Sequence, residues 1–184
     1  MKNKIVILFL LLAFTFSMQG QKTDSRIDFR IGIGPSLLGT GDIITLDYEN
    51  ELNVKIDQYF TLSTSLNFGN SLSGIAFNAS FIQGNFNVFL SPLKNNKRFD
   101  FRLGAGVNYY SILDILQSRT IYENGVPVGR TYNIDKRDVF GYNIIIEGSY
   151  MLTDKILAGL KIFTQPYTNG DINSGIMFKI GYKL

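Results

Sequence analysis

Ile44-Thr45-Leu46-Asp47-Tyr48-Glu49-Asn50-Glu51-Leu52-Asn53-Val54-Lys55-Ile56-Asp57 alternates almost without fault. Ile44, Leu46, Tyr48, Leu52, Val54 and Ile56 share one parity. Thr45, Asp47, Glu49, Glu51, Asn53, Lys55 and Asp57 share the other, and Asn50 is the break in the apolar set. A helix turns about 100° per residue and would scatter both sets around its circumference. A strand sends successive side chains to opposite faces and keeps the sets apart. The stretch is a long strand with one apolar and one charged face.

The same period runs outward in both directions. Ile27, Phe29, Ile31 and Ile33 oppose Arg26, Asp28, Arg30, Gly32 and Gly34. Phe60, Leu62, Leu66 and Phe68 oppose Thr61, Ser63, Ser65 and Asn67. Ile75, Phe77, Ala79 and Phe81 then alternate in the phase opposite to Ile82, Phe86, Val88 and Leu90, which predicts a bulge or capping loop near Phe81. Phe99, Phe101, Leu103, Ala105, Val107 and Tyr109 form a fifth set. Phe140, Tyr142, Ile144, Ile146 and Tyr150 form a sixth, Ile156, Ala158, Leu160 and Ile162 a seventh, and Ile176 to Leu184 the last. Phe89, Ile145, Leu157 and Phe163 fall on the polar parity as breaches. Short connectors (Asp57-Gln58-Tyr59, Ser91 to Arg98, Thr153-Asp154-Lys155) alternate with longer ones (Leu38 to Ile43, Gly69 to Gly74, Ile112 to Asp138, Gln165 to Asn173). The pattern predicts an all-β, closed, antiparallel up-and-down barrel of about eight strands. Within the third long connector, Glu123-Asn124-Gly125 is a hairpin signal, expected to rise above the rim.

Orientation follows from what each face carries. The polar face holds Arg26, Asp28, Arg30, Asp47, Glu49, Glu51, Lys55, Arg102, Glu147, Lys161 and Lys179 together with many glycines. Opposite charges pair, and small residues make room, inside a narrow barrel. On an outer wall in water the same glycines would only weaken the strands. The apolar face is nearly free of charge. Tyr59, Phe60, Phe99, Tyr150 and Tyr182 gather toward the short turns, and Tyr48, Tyr109, Phe140 and Tyr142 toward the long loops. Two aromatic girdles around an aliphatic band suit a bilayer, so these charges are expected in the lumen and the apolar face at lipid. The alternative is a soluble barrel with the apolar face inward.

The N-terminus agrees with export. Lys2 and Lys4 precede the apolar run Ile5 to Phe16, and Ser17-Met18-Gln19-Gly20 turns small and polar, the layout of a signal peptide. Residues 1–20 are therefore expected to be removed between Gly20 and Gln21, leaving residues 21–184 as one barrel domain. The run is too short to span a bilayer, which needs about 20 apolar residues.

Composition limits the chemistry. The 184 residues include no histidine and no cysteine, which removes Ser-His-Asp triads, Cys-His pairs, disulfides and a lipid-modified cysteine. No enzymatic activity, metal or cofactor is expected. Asp47, Glu49 and Glu51 lie about 7 Å apart on one strand face and could form a cation or acid-base site. The favoured reading is interior carboxylates neutralised by Arg30, Arg102, Lys161 or Lys179. Gly32-Ile33-Gly34 and Gly104-Ala105-Gly106 sit inside strands, not at the strand–helix junction a phosphate loop requires. Basic residues are spread out, so no nucleic-acid footprint is seen. Asp135-Lys136-Arg137-Asp138 could touch lipopolysaccharide phosphates or simply be a solvated loop end.

Asp57-Gln58-Tyr59-Phe60-Thr61-Leu62, its counterpart Thr153-Asp154-Lys155-Ile156, Phe101-Arg102-Leu103-Gly104-Ala105-Gly106-Val107, the Gly20-Gln21 junction and the closing strand Ile176 to Leu184 carry a family likeness. Through them the chain resembles the small outer-membrane β-barrel domain family of the Bacteroidota type, an OmpA/OmpX-like "porin family" barrel. The chain departs from that pattern in ending on Leu184 rather than an aromatic residue, with Tyr182 nearby. The resemblance implies location in the cell outer membrane. Its implied partners are outer-membrane lipids, lipopolysaccharide and the barrel-assembly machinery, with an unknown partner at the extracellular loops. Three functions compete: a structural or interaction protein with a charge-filled lumen, a narrow porin-like channel for small solutes, and a soluble periplasmic ligand-binding barrel. Eight strands leave an interior just wide enough for side chains, which favours the first over the second.

Overall fold

A computed structural model describes residues 26–39, 43–72, 77–93, 98–123 and 126–184. The expected signal peptide and its cleavage site lie outside them. Eight strands follow one another: β1 (Ile27–Gly39), β2 (Ile43–Lys55), β3 (Phe60–Ser71), β4 (Phe77–Leu90), β5 (Phe99–Glu123), β6 (Val126–Met151), β7 (Ile156–Pro166) and β8 (Ile172–Lys183). Each pairs antiparallel with its neighbours in sequence, and β8 returns to β1 to close the barrel. The architecture is the one the alternation predicts, an up-and-down barrel with no free sheet edge around its wall.

The short turns are fixed by their own side chains. Asp57 Oδ1 accepts from the backbone N–H groups of Tyr59 and Phe60, both at 2.7 Å. Thr153 Oγ1 accepts from those of Lys155 and Ile156 at 3.3 and 3.0 Å. In each case a short polar side chain replaces a backbone acceptor and reverses the chain.

Two expectations are corrected. No bulge interrupts β4: its ladders to β3 and β5 run unbroken past Phe81. The phase does not change there. Ala79, Phe81, Gln83, Asn85, Asn87 and Phe89 all point inward and are buried. The apparent phase change reflects apolar residues on the inner face. The Ile112 to Asp138 connector is not a loop but a continuation of β5 and β6, which are 25 and 26 residues long against 11 to 14 for the others. β4 accompanies β5 only as far as Leu116, and β6 pairs continuously with β7 only from Ile144. The two long strands rise beyond their neighbours as a paired ribbon, with ladder irregularities at Gln117/Arg119 and Ile121/Tyr122. The Asn124-Gly125 turn itself lies outside the described residues.

The outer wall is apolar. Ile31, Ile33, Leu46, Val54, Leu66, Phe86, Leu103, Val107, Ile144, Ile162, Phe178 and Ile180 are exposed on it. Tyr109 and Phe140 meet there edge-on, ring centroids 5.1 Å apart.

Candidate functional site

The interior is the part of the molecule built from chemistry-bearing side chains. Arg30 of β1, Glu49 and Glu51 of β2, Arg102 of β5, Glu147 of β6, Lys161 of β7 and Lys179 of β8 are all buried and meet in one network. Arg102 reaches Glu51 at 2.7 Å and Glu147 at 2.9 Å, and donates to Asn53 Oδ1 at 2.9 Å. Lys161 pairs with Glu49 at 2.6 Å. Lys179 lies 2.6 Å from Glu51, 3.2 Å from Glu49 and 3.3 Å from Glu147. Arg30 pairs with Glu147 and with half-buried Asp28, the latter at 2.6 Å. Contacts such as β2 to β5, β2 to β7 and β1 to β6 cross the lumen rather than follow the wall, so they occupy its cross-section.

The remaining charges named from the sequence lie elsewhere. Asp47 is buried but belongs to no ion pair among the described residues. It accepts from Thr45 at 2.8 Å and Asn173 at 3.3 Å. Lys55 is the last residue of β2 and half-buried. Arg26 precedes β1 and is exposed, which removes it from the lumen set. The charge pattern alone could not separate it from Arg30, because alternation fixes the side but not where the strand starts.

Neutral amides fill the next stretch. Asn85 donates to Ser65 and Asn67, both at 2.9 Å, and Asn143 to Asn87 at 2.6 Å. The Tyr167 hydroxyl donates to Gln83 Oε1 at 2.9 Å. Toward the long-loop end Leu38, Ala79, Phe81, Tyr110, Ile112 and Tyr167 close over the lumen as an apolar cluster. Tyr110 stacks on Tyr167 with centroids 4.3 Å apart. At that rim Arg137 draws in Asp114, Asp171 at 3.1 Å and Asp135 at 3.4 Å. The Asp135–Asp138 segment is thus held partly by its own counter-charges.

Sequence reading missed the role of the breaches. Phe89, Ile145 and Phe163 join Met177 in a second buried cluster, and the Arg102 guanidinium lies 3.9 Å over the Phe89 ring. Inward aromatics cover inward glycines on neighbouring segments, three of them on adjacent strands and Tyr167 just past the end of β7. A Cβ on Gly104 would come 2.5 Å from the Phe89 ring, one on Gly141 2.6 Å from Tyr167, one on Gly175 2.9 Å from Phe163, and one on Gly69 would strike Phe81. The ring shields the backbone that the glycine leaves bare, and the glycine leaves space for the ring. The signal was present in the sequence as an aromatic on the polar parity beside a glycine-bearing strand.

No family model matches the chain, and no curated protein matches it by sequence. Solved structures do. Neisserial surface protein A superposes with TM-score 0.63 at 7% identity, over 86% of this chain and 96% of its own. The attachment invasion locus protein Ail of Yersinia pestis gives 0.57 at 8%, over 85% and 96%. The outer membrane protein OprG of Pseudomonas aeruginosa gives 0.52 at 10%, over 86% and 94%. At such identities the likeness is one of fold, and that fold is the small eight-stranded barrel.

Proposed function

We propose that the chain is an outer-membrane β-barrel with a closed lumen, serving as a rigid scaffold that carries the β5–β6 ribbon as its interaction element. The observation that carries this reading is the network around Lys179, Arg102, Arg30 and Lys161, matched by Glu49, Glu51, Glu147 and Asp28 and strung across the lumen. A channel selecting one sign of ion would carry a one-sided ring of charge. Here the signs balance and each long side chain is already engaged. An apolar outer wall supports lipid as its surroundings, since an exposed face of this extent would aggregate in water. Superposition on barrels that include an outer membrane protein supports the same location.

The test is electrical. Purified barrel, its closure checked by heat-modifiable gel mobility, is added to planar bilayers. Silence or rare brief flickers are expected. Large, long-lived open events would overturn the closed-lumen reading and favour the narrow channel.

A further inference from the structure

Asn50 is the fault in the otherwise apolar outward parity of β2, and the barrel interior does not account for it. By register it lies between Ile31 of β1 and Leu66 of β3, both exposed on the outer wall. Ile44, Leu46 and Tyr48 stand beyond it toward one end of the barrel, and Leu52, Val54 and Ile56 toward the other. Each two-residue step advances roughly 5 Å along the barrel axis at a strand tilt of about 40°. Asn50 is therefore roughly 15 Å from either limit of the apolar belt, the middle of a hydrocarbon core about 30 Å thick. Its Oδ1 accepts from the Tyr48 hydroxyl at 2.9 Å, and among the described residues nothing accepts from its Nδ2. By register the half-buried carboxamide sits on the outward parity at a depth that headgroups and water do not reach. Hydrocarbon offers its two N–H donors no acceptor, and an unsatisfied donor there is costly.

We propose that Asn50 is the centre of a contact between two copies of this chain, related by a two-fold axis along the membrane normal. The proposal rests on the outer-membrane reading above. A carboxamide brings both donors and an acceptor, and its oxygen has a second lone pair free after the bond from Tyr48. Under two-fold symmetry each Asn50 donates to the Oδ1 of the other, so one residue supplies both halves of a reciprocal pair. The second N–H points toward the other copy's Tyr48 hydroxyl oxygen. Ile31 and Leu66 flank the amides on each wall and pack around them, excluding lipid from the polar centre. A lipid chain could not satisfy the donors, and an unrelated protein would need its own free acceptor at the same depth. The chain itself meets that requirement.

The experiment uses the full barrel in phosphatidylcholine vesicles, labelled through Gln58→Cys in the exposed turn, and follows energy transfer between copies on dilution with lipid. The native sequence has no cysteine, so engineered thiols are unambiguous. Transfer is expected to persist at protein densities where Asn50→Leu has lost it, the association constant falling about tenfold or more. Heat-modifiable mobility unchanged by Asn50→Leu separates loss of contact from loss of fold. In parallel, Asn50→Cys should form an interchain disulfide under mild oxidant, while Ile144→Cys on the opposite wall should not. Monomers at every dilution, equal association of Asn50→Leu, or equal cross-linking through Ile144→Cys would each overturn the proposal while leaving the outer-membrane reading intact. Failure of the barrel to enter vesicles would overturn both.

Discussion

At the scale of single residues the interior is unforgiving, because its charges are shared. Glu147 is buried and accepts from Arg30, Arg102 and Lys179 at once. Glu147→Ala leaves three buried cations with fewer carboxylates than they need. Breaking a buried pair from one side costs about 3–5 kcal/mol. Equilibrium unfolding from lipid vesicles should show a loss of that size. Replacing Glu147 by Gln keeps the acceptor oxygen and should cost less. A loss under about 1 kcal/mol for Glu147→Ala would mean that water already neutralises the network. The carboxylates and cations were legible as an inward set because parity reports the face directly. Which cation meets which carboxylate was not legible. Arg102 and Glu51, or Lys179 and Glu51, are far apart in sequence and meet only after the barrel closes. The same limit hid Phe89 and Ile145. Parity marks them as inward, and only the neighbours across the lumen make inward an apolar place.

At the scale of elements the strands were legible and their ends were not. β1, β3 and β7 outlast their clean alternation, because the ladder continues wherever a neighbour still offers backbone partners, whatever the side chains. β5 and β6 do so for each other alone, which turned an expected loop into a ribbon. The tight turns were readable from Asp57 and Thr153, whose side chains cap them. Asp57 also carries a pH signature. Hydrogen bonds from the Tyr59 and Phe60 backbones favour its ionised form and hold its carboxyl below the usual range. A depressed carboxylate adds stability at neutral pH that disappears as the pH falls through its folded-state value, below about 4. Asp57→Asn keeps the acceptor oxygen but does not titrate. The stability difference between the two proteins should therefore be flat near neutrality and shrink under acid, measured by urea unfolding in vesicles at stepped pH. A difference independent of pH would show that the turn gains nothing from the charge.

At the scale of the whole molecule, the barrel has no part that stands alone. The charge network draws on strands from both ends of the chain, β1 and β2 against β6, β7 and β8. Secondary structure and closure should therefore appear together. Far-ultraviolet circular dichroism and heat-modifiable mobility, followed along one urea gradient in vesicles, should trace a single coincident transition. Separated midpoints would reveal a populated sheet that has formed without closing. Where the same feature leads next is to the order of events in time. A sheet still missing β8 would present Glu49, Glu51 and Glu147 without Lys179, leaving Arg102 as the cation that meets both Glu51 and Glu147. The contact from Lys179 to Glu51 joins residues 128 apart in sequence, and long loops close slowly. A barrel with a slipped register or a missing strand would therefore carry unmatched charges in its lumen, a cost that falls on misassembled forms and not on the closed one.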